Sequence, residues 1–184
     1  MQYFIVLSFF LLSFTGTQAI AQHDGHHADR HATIEIPRAL EVEHDAIHKD
    51  LKAIIALKGK TGVAAERLAD ALHEHFDEEQ EYAMPPLGVL KDVAAGRTGP
   101  RIDHAALLAE QLEREMPKML AEHRIILERI DALRLAARDE QRDDAIRFAD
   151  ELQLHAQYEE EVLYPATIIL GRYLDLLREK NLVK

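Results

Sequence analysis

Apolar residues recur at three- and four-residue spacing through most of the chain, and this pattern predicts amphipathic helices. Glycine-containing or charged links interrupt the pattern three times, and Pro165 is expected to kink the last helix. Four helices joined by short links favour an all-α fold, an up-down-up-down four-helix bundle. The predicted helices span about residues 37–57, 64–84, 100–137 and 143–177.

The chain also repeats itself. Residues 68–79 align without a gap with residues 148–159, and a proline follows ten residues after the histidine that the two segments share. The first and third helices share a Glu-His dipeptide, at residues 43–44 and 122–123. These similarities predict an internal repeat of two helical hairpins that face each other.

The first 36 residues have a different character. Residues 1–21 carry no charged side chain, hold an apolar run and end in Ala19-Ile20-Ala21, as a secretory signal peptide cleaved before Gln22 does. Since no Lys or Arg precedes the run, an uncleaved N-terminal anchor is the alternative. Residues 22–36 are predicted to be a flexible, His-rich leader, and residues 37–184 the bundle. We therefore expect an exported protein, periplasmic or secreted, that is not inserted in the membrane after cleavage.

The composition of the chain limits the functions and metal ligands that are possible. With 33 acidic and 22 basic side chains, the formal net charge is −11, which argues against nucleic-acid binding by bulk electrostatics. The chain has no cysteine, so disulfides, thiolate metal sites and cysteine nucleophiles are excluded. Histidine, aspartate and glutamate are then the only strong metal ligands available, and the chain has 11 histidines.

The helical periodicity places several of these ligands on apolar faces. His75 and Glu79 share the inward face of the second helix, and His155 and Glu159 share that of the fourth. His123 lies in the middle of the apolar stripe of the third helix. These five side chains are expected to meet in the core.

It is less clear which side chains face inward on the first helix and at the end of the fourth. His44 and His48 lie one turn apart, about 40° from each other around the helix, so at least one of them points inward. The same periodicity places Val162 inward and turns Glu160 toward solvent. The first helix therefore adds a fourth inward histidine.

Four inward histidines and two inward carboxylates would cost several kcal/mol in desolvation unless something satisfies them together. A pair of metal ions would, since carboxylates can bridge two cations while imidazoles complete each coordination shell. The alternative is a purely structural bundle whose polar residues pair among themselves, at a cost in stability. The sequence thus favours a dinuclear metal site.

Four segments resemble the motifs of hemerythrin-like proteins of the HHE cation-binding type: residues 43–47, 75–79 with Pro85, 122–126, and 155–159 with 163–165. The resemblance covers about residues 38–170. It implies a non-haem di-iron centre with Glu79 and Glu159 as bridging carboxylates and dioxygen as the ligand of one iron. The ligands that it implies are His44, His75, Glu79, His123, His155 and Glu159.

The chain departs from the oxygen-carrying members of that family in one ligand. Where they have a second histidine one turn before the position of His123, this chain has Met119. Either His48 or water could fill the place. Family members also differ in whether the last carboxylate follows its histidine by four or five residues; the helical periodicity favours Glu159, and a local bulge would favour Glu160.

These features predict an exported di-iron protein that binds or reacts with dioxygen, nitric oxide or peroxide, a metal- and oxygen-binding protein rather than a dedicated enzyme. The alternative is an envelope module that binds or buffers zinc, copper or iron and collects metal with the His-rich leader. Zinc or another divalent ion could also occupy the core site, because imidazole ligands alone do not select iron.

Overall fold

The computed structural model describes residues 33–97 and 99–180, and these residues form helices and no β-strand. The all-α prediction is therefore confirmed for this part of the chain. Two π-helical turns, Glu79–Ala83 and Glu159–Leu163, and a 3₁₀ turn, Pro85–Val89, connect some of the helices. The α-helices are α1 (Arg38–Ile55), α2 (Lys60–Glu78), α3 (Leu90–Ala94), α4 (Pro100–Asp139), α5 (Asp143–Tyr158) and α6 (Tyr164–Glu179).

Four helical segments pack together: α1, α2, α4, and α5 continued by α6. The long helix α4 contacts α2, α5 and α6, and α1 contacts α2 and α5. At one close approach, a Cβ built on Gly171 of α6 would lie 2.5 Å from the Cβ of Ala109 on α4. Only glycine allows this spacing of the two helices. The up-down-up-down order and the internal repeat stay predictions.

Helix α2 begins at Lys60, earlier than predicted, because a distant carboxylate caps it. Glu140 accepts hydrogen bonds from the backbone N–H of Lys60 (2.7 Å) and of Thr61 (3.0 Å) and from the Thr61 hydroxyl (2.7 Å). The chain turns into this contact at Gly59, whose φ of 101° suits glycine. The bonds from Thr61 and Lys60 lower the pKa of Glu140 to about 2.

A π-helical turn directly precedes Pro165, the residue at which the sequence predicts a kink. In the turn Glu159–Leu163, the backbone N–H of Tyr164 donates to the carbonyl of Glu159, five residues back. Proline has no N–H and its ring crowds the preceding turn, and the inserted residue relieves both constraints. The chain uses the same device after α2, at Glu79–Ala83.

The π turn changes which residues face the core. An inserted residue rotates every later position by about one residue's worth of helix. Val162 is consequently 47% exposed, whereas Leu163 and Tyr164 are buried. The prediction that Val162 faces inward is therefore wrong, because it assumed an unbroken α-helical period.

The core consists of apolar clusters with a polar layer between two of them. One cluster lies toward the α1–α2 and α4–α5 links and includes Leu51, Leu68, Phe76, Ile130 and Leu152. The next includes Tyr82, Met84, Leu112, Met119, Leu163 and Tyr164. The inward histidines stand along each helix between residues of these two clusters. A third cluster contains Ile34, so packing reaches residues predicted as the end of the leader.

The predicted signal peptide, residues 1–21, and most of the His-rich leader lie outside the described residues. Within residues 33–97 and 99–180, no helix combines the length and the apolar character that crossing a membrane requires. At the end of the leader, a Cβ on Gly88 would lie 2.1 Å from the carbonyl oxygen of Glu35, so the chain passes directly over that glycine.

Candidate metal centre

Six side chains that could bind metal are buried between the two apolar clusters. They come from all four packed segments, and none is more than 7% exposed. For five of them this agrees with the inward face that the helical period predicts, and on α1, where the period left two histidines open, His44 is the buried one. The six are His44 of α1, His75 and Glu79 at the end of α2, His123 of α4, and His155 and Glu159 at the end of α5.

The donor atoms fall into two groups. His75, Glu79, His123 and Glu159 each offer one atom within 4.8 Å of the others, and so do His44, His155 and Glu159. Glu159 belongs to both groups. Two metal positions that share a carboxylate would follow from such a grouping.

Glu159 lies between the two groups with its oxygens divided among them. Its Oε1 is 2.7 Å from Nε2 of His155 and 3.7 Å from Nε2 of His44. Its Oε2 is 3.4 Å from Nε2 of His123. Each oxygen therefore faces a different group of imidazoles, the arrangement expected of a bridging carboxylate.

Glu79 is divided in the same way. Its Oε1 is 3.7 Å from Nε2 of His75, and its Oε2 is 3.6 Å from Nε2 of His44. Both carboxylates thus span the same two groups, Glu79 from the end of α2 and Glu159 from the end of α5. Each is the first residue of a π turn, so the turn begins where the carboxylate enters the core.

Three of the four histidines are held from behind by an outer carboxylate. Because an ionised carboxylate only accepts hydrogen bonds, each of these rings donates from Nδ1–H and turns Nε2 toward the interior. Nδ1 of His44 has no hydrogen-bond partner. The three pairs, with their Nδ1 to oxygen distances, are His75–Glu122 (3.1 Å), His123–Glu160 (2.8 Å) and His155–Glu43 (3.1 Å).

The pKa values of the two buried carboxylates are shifted in opposite directions. Burial, and then the neighbouring carboxylate of Glu159, raise the pKa of Glu79. Burial also disfavours the charge of Glu159, but the neighbouring imidazoles, led by His123, hold the pKa of Glu159 well below its usual range. Burial, and then the charge of His123, lower the pKa of His75. A cation would compensate the negative charge of the two crowded carboxylates, and it could bind to the neutral imidazole of His75.

Five buried polar atoms in the cluster have no hydrogen-bond partner of acceptable geometry. All are nitrogen or carboxylate oxygen, the donors that divalent and trivalent transition metals accept. Four of the five belong to the facing groups of donor atoms described above. These unsatisfied lone pairs therefore fit a metal ion between His44 and His155. The atoms are Nδ1 and Nε2 of His44, Oε2 of Glu79, Nε2 of His155 and Oε1 of Glu159.

Two residues weighed as further ligands are not among the inner donors. His48 is exposed, and its ring packs against Phe76 at a centroid distance of 5.1 Å rather than joining the cluster. Glu160, with its side chain 38% exposed, bonds the outer nitrogen of His123. A bulge is present, yet it begins at Glu159 and rotates only the residues after it. The structure thus brings Glu159 into the cluster and leaves His48 and Glu160 outside it.

Sequence reasoning missed three functional candidates. The outer carboxylates Glu43 and Glu122 come from the two Glu-His dipeptides, and this shared dipeptide was the available signal. Tyr164 is fully buried and donates a 2.6 Å hydrogen bond to Oε1 of Glu79. Burial, and then the charge of Glu79, raise the pKa of this phenol. Its position depends on the π turn, which the α-helical period does not reveal.

A surface recess reaches the cluster beside His44. The cavity measures about 220 Å³, against about 10–15 Å³ needed to hold a water. Most of its lining side chains are exposed, but His44 is 3% exposed and forms part of its wall. The lining residues are Ile36, Arg38, Glu41, His44, Asp45, His48, Gln80 and Met84.

Comparison of the chain with protein-family models, with curated proteins and with solved structures finds no match. The resemblance to hemerythrin-like proteins therefore stays a prediction that rests on the motif residues. The described structure itself contains a buried His/Glu cluster that could hold metal, and it leaves the identity of the metal open.

Proposed function

We propose that this chain is an exported, hemerythrin-like protein that holds two non-haem iron ions and binds or reacts with dioxygen, nitric oxide or peroxide. The observation that carries the proposal is the position of the two buried carboxylates. Glu79 and Glu159 each turn one oxygen toward one group of histidines and the other oxygen toward the second group. A bundle that merely paired its polar residues would have no need of this division.

The ligand set supports two ions rather than one. His75 and His123 would hold one ion, His44 and His155 the other, and both carboxylates would contact each. The five partnerless atoms belong to His44, His155 and the carboxylate oxygens that face them, so one ion at that position would satisfy four of the five. A second ion is supported by the other position, where Nε2 of His75 and Nε2 of His123 lie 2.9 Å apart beside the remaining carboxylate oxygens. Bound iron would supply reversible oxidation and a place for a small exogenous ligand.

The proposed centre has two halves, the His75 half with His75 and His123 and the His44 half with His44 and His155. The surrounding residues close these two halves to different extents. The His75 half is closed by buried side chains, among them Met119 and Tyr164. The His44 half borders the recess of about 220 Å³, and His44 has no outer carboxylate behind its ring. Small ligands would thus approach beside His44, while the apolar clusters keep bulk water from the other half.

Zinc or copper buffering in the cell envelope is the competing function. Imidazole sites bind copper and zinc more tightly than ferrous iron, so the donors alone do not select the metal. Export, and the collection of metal by the leader, both rest on residues outside those described. Deleting residues 22–31 should leave iron binding at the core unchanged and should sharply reduce zinc or copper binding only if the leader collects those metals.

The test is anaerobic loading of the purified mature protein with ferrous iron, followed by metal analysis and a visible spectrum before and after exposure to dioxygen or peroxide. We expect two irons per chain and new near-ultraviolet and visible absorption on oxidation. His75→Ala and His155→Ala, which each remove a ligand from a different half, should bind less iron and lose these bands.

His73→Ala is the matched control, because His73 lies on α2 near His75 but is exposed. It should behave as the unchanged protein does. Fewer than one iron per chain would overturn the proposal, and a colourless protein with stoichiometric zinc or copper would favour the buffering function.

A further inference from the structure

A tyrosine hydroxyl lies among the donor atoms of the His75 half. The oxygen of Tyr164 is 2.6 Å from Oε1 of Glu79, 3.2 Å from Nε2 of His123 and 3.4 Å from Nε2 of His75. These three atoms belong to the group that could hold one metal ion. The phenol oxygen is therefore as close to these three donor atoms as the donor atoms are to one another.

The backbone places this side chain by a specific device. Tyr164 is the first residue of α6, directly after the π turn that rotates Val162 to the surface. In a regular α-helix, Tyr164 would lie five residues, about 140°, around from Glu159. Because a π turn places more residues in each turn, this angle becomes smaller, and both side chains enter the core and meet the same imidazoles.

The neighbouring buried tyrosine does not share this position. The hydroxyl of Tyr82 donates to Glu78 (2.7 Å) and to the sulfur of Met119 (3.2 Å). Met119 is the residue at which the chain lacks a further imidazole, and its sulfur is engaged by Tyr82. The inner face of the His75 half is consequently left to Tyr164.

We propose that the phenolic oxygen of Tyr164 is a direct ligand of the metal ion held by His75, His123 and Glu79. This inference rests on the proposed metal centre and deepens it. Coordination exchanges the O–H bond for an O–metal bond, and the proton is released to solvent when the metal binds. A phenolate is a hard anionic oxygen donor that suits ferric iron, and tyrosine serves as an axial ligand of haem iron in catalase.

The proposal makes the two ions chemically different. The ion of the His75 half gains an anionic oxygen ligand, which stabilises the ferric state and occupies a coordination position. The ion of the His44 half has no phenol among the described residues near it and borders the open recess. Exogenous ligands should therefore bind only at the His44 ion.

Resonance Raman spectroscopy of the iron-loaded, oxidised protein tests the assignment. Excitation within the visible band should enhance the ring vibrations of a coordinated phenolate, and these vibrations should shift when the protein is prepared with ring-deuterated tyrosine. Tyr164→Phe, which keeps the packed ring, should lose both the vibrations and the long-wavelength part of the band. Tyr82→Phe is the matched buried control and should retain them.

Iron content on the same samples separates the two proposals. Two irons per chain with no enhanced phenolate vibrations, or with vibrations that persist in Tyr164→Phe, would overturn the ligand role of Tyr164 and leave the metal centre standing. The phenol would then only donate a hydrogen bond to Glu79. Fewer than one iron per chain in the unchanged protein would overturn both.

Discussion

Removing metal from the centre should cost the protein much of its stability. The five partnerless atoms in the cluster are buried, and each unsatisfied buried donor or acceptor costs about 1–3 kcal/mol. Their combined cost is comparable to the whole free energy of unfolding of a typical domain, about 5–15 kcal/mol. The metal-free chain must therefore be only marginally stable, or must rearrange around the cluster.

The effect is measurable as a shift of the melting temperature. For chains of 150–250 residues, 1 kcal/mol corresponds to about 2–4 °C, so even 5 kcal/mol amounts to roughly 10–20 °C. Thermal unfolding followed by circular dichroism, with excess chelator in one sample and ferrous iron under anaerobic conditions in the other, should give at least this difference.

A double variant, Glu79→Met and Glu159→Met, provides the control. It replaces the two buried carboxylates by apolar side chains of similar size, so its metal-free form should be at least as stable as the metal-free parent. Its melting temperature should no longer respond to iron. Coincident melting curves for the loaded and chelated parent would refute the reasoning, since the cluster would then be satisfied without metal.

Three further predictions concern single residues. Glu122→Gln weakens the carboxylate that orients His75, so metal affinity should fall about 10- to 100-fold in a competition titration. Gly171→Ala forces a methyl group against Ala109 and should destabilise the fold by about 1–3 kcal/mol in urea unfolding. Glu140→Gln removes the charge that caps α2. Because the folded pKa of Glu140 is depressed to about 2, its contribution is full above its unfolded pKa of about 4.3 and is lost as the pH falls toward 2.

Each of these three predictions would be contradicted by a specific result. Glu74→Gln is the control for the first, since Glu74 is exposed and also lies near Lys118; equal losses of affinity in both glutamine variants would contradict the orienting role. Unchanged urea unfolding for Gly171→Ala would mean that α4 and α6 separate without cost. A stability difference for Glu140→Gln that is the same at pH 7 and pH 2 would exclude the capping charge as its cause.

Much of the inner cluster could be predicted because it needs only the helical period. A spacing of four residues puts His75 beside Glu79 and His155 beside Glu159, before both π turns begin. Burial on four apolar faces then brings His123 into reach. The all-α class followed from the same periodicity.

The remainder depends on features that periodicity does not contain. The two histidines one turn apart on α1 could not be distinguished: both rings contact Phe76, yet His44 is buried and His48 is exposed. The π turn exposes Val162, which was expected to face the core, and brings Tyr164 inward. Hydrogen bonds between helices, such as those from three of the four imidazoles to outer carboxylates, also require the packed structure.

The most direct test of the central claim is the anomalous scattering of iron in crystals of the loaded protein. The account predicts two peaks per chain inside the bundle, one among His75, His123 and Glu79 and one between His44 and His155, with Glu159 between them. A single peak, or no peak at these residues in a protein that has taken up iron elsewhere, would contradict a dinuclear centre built from this cluster.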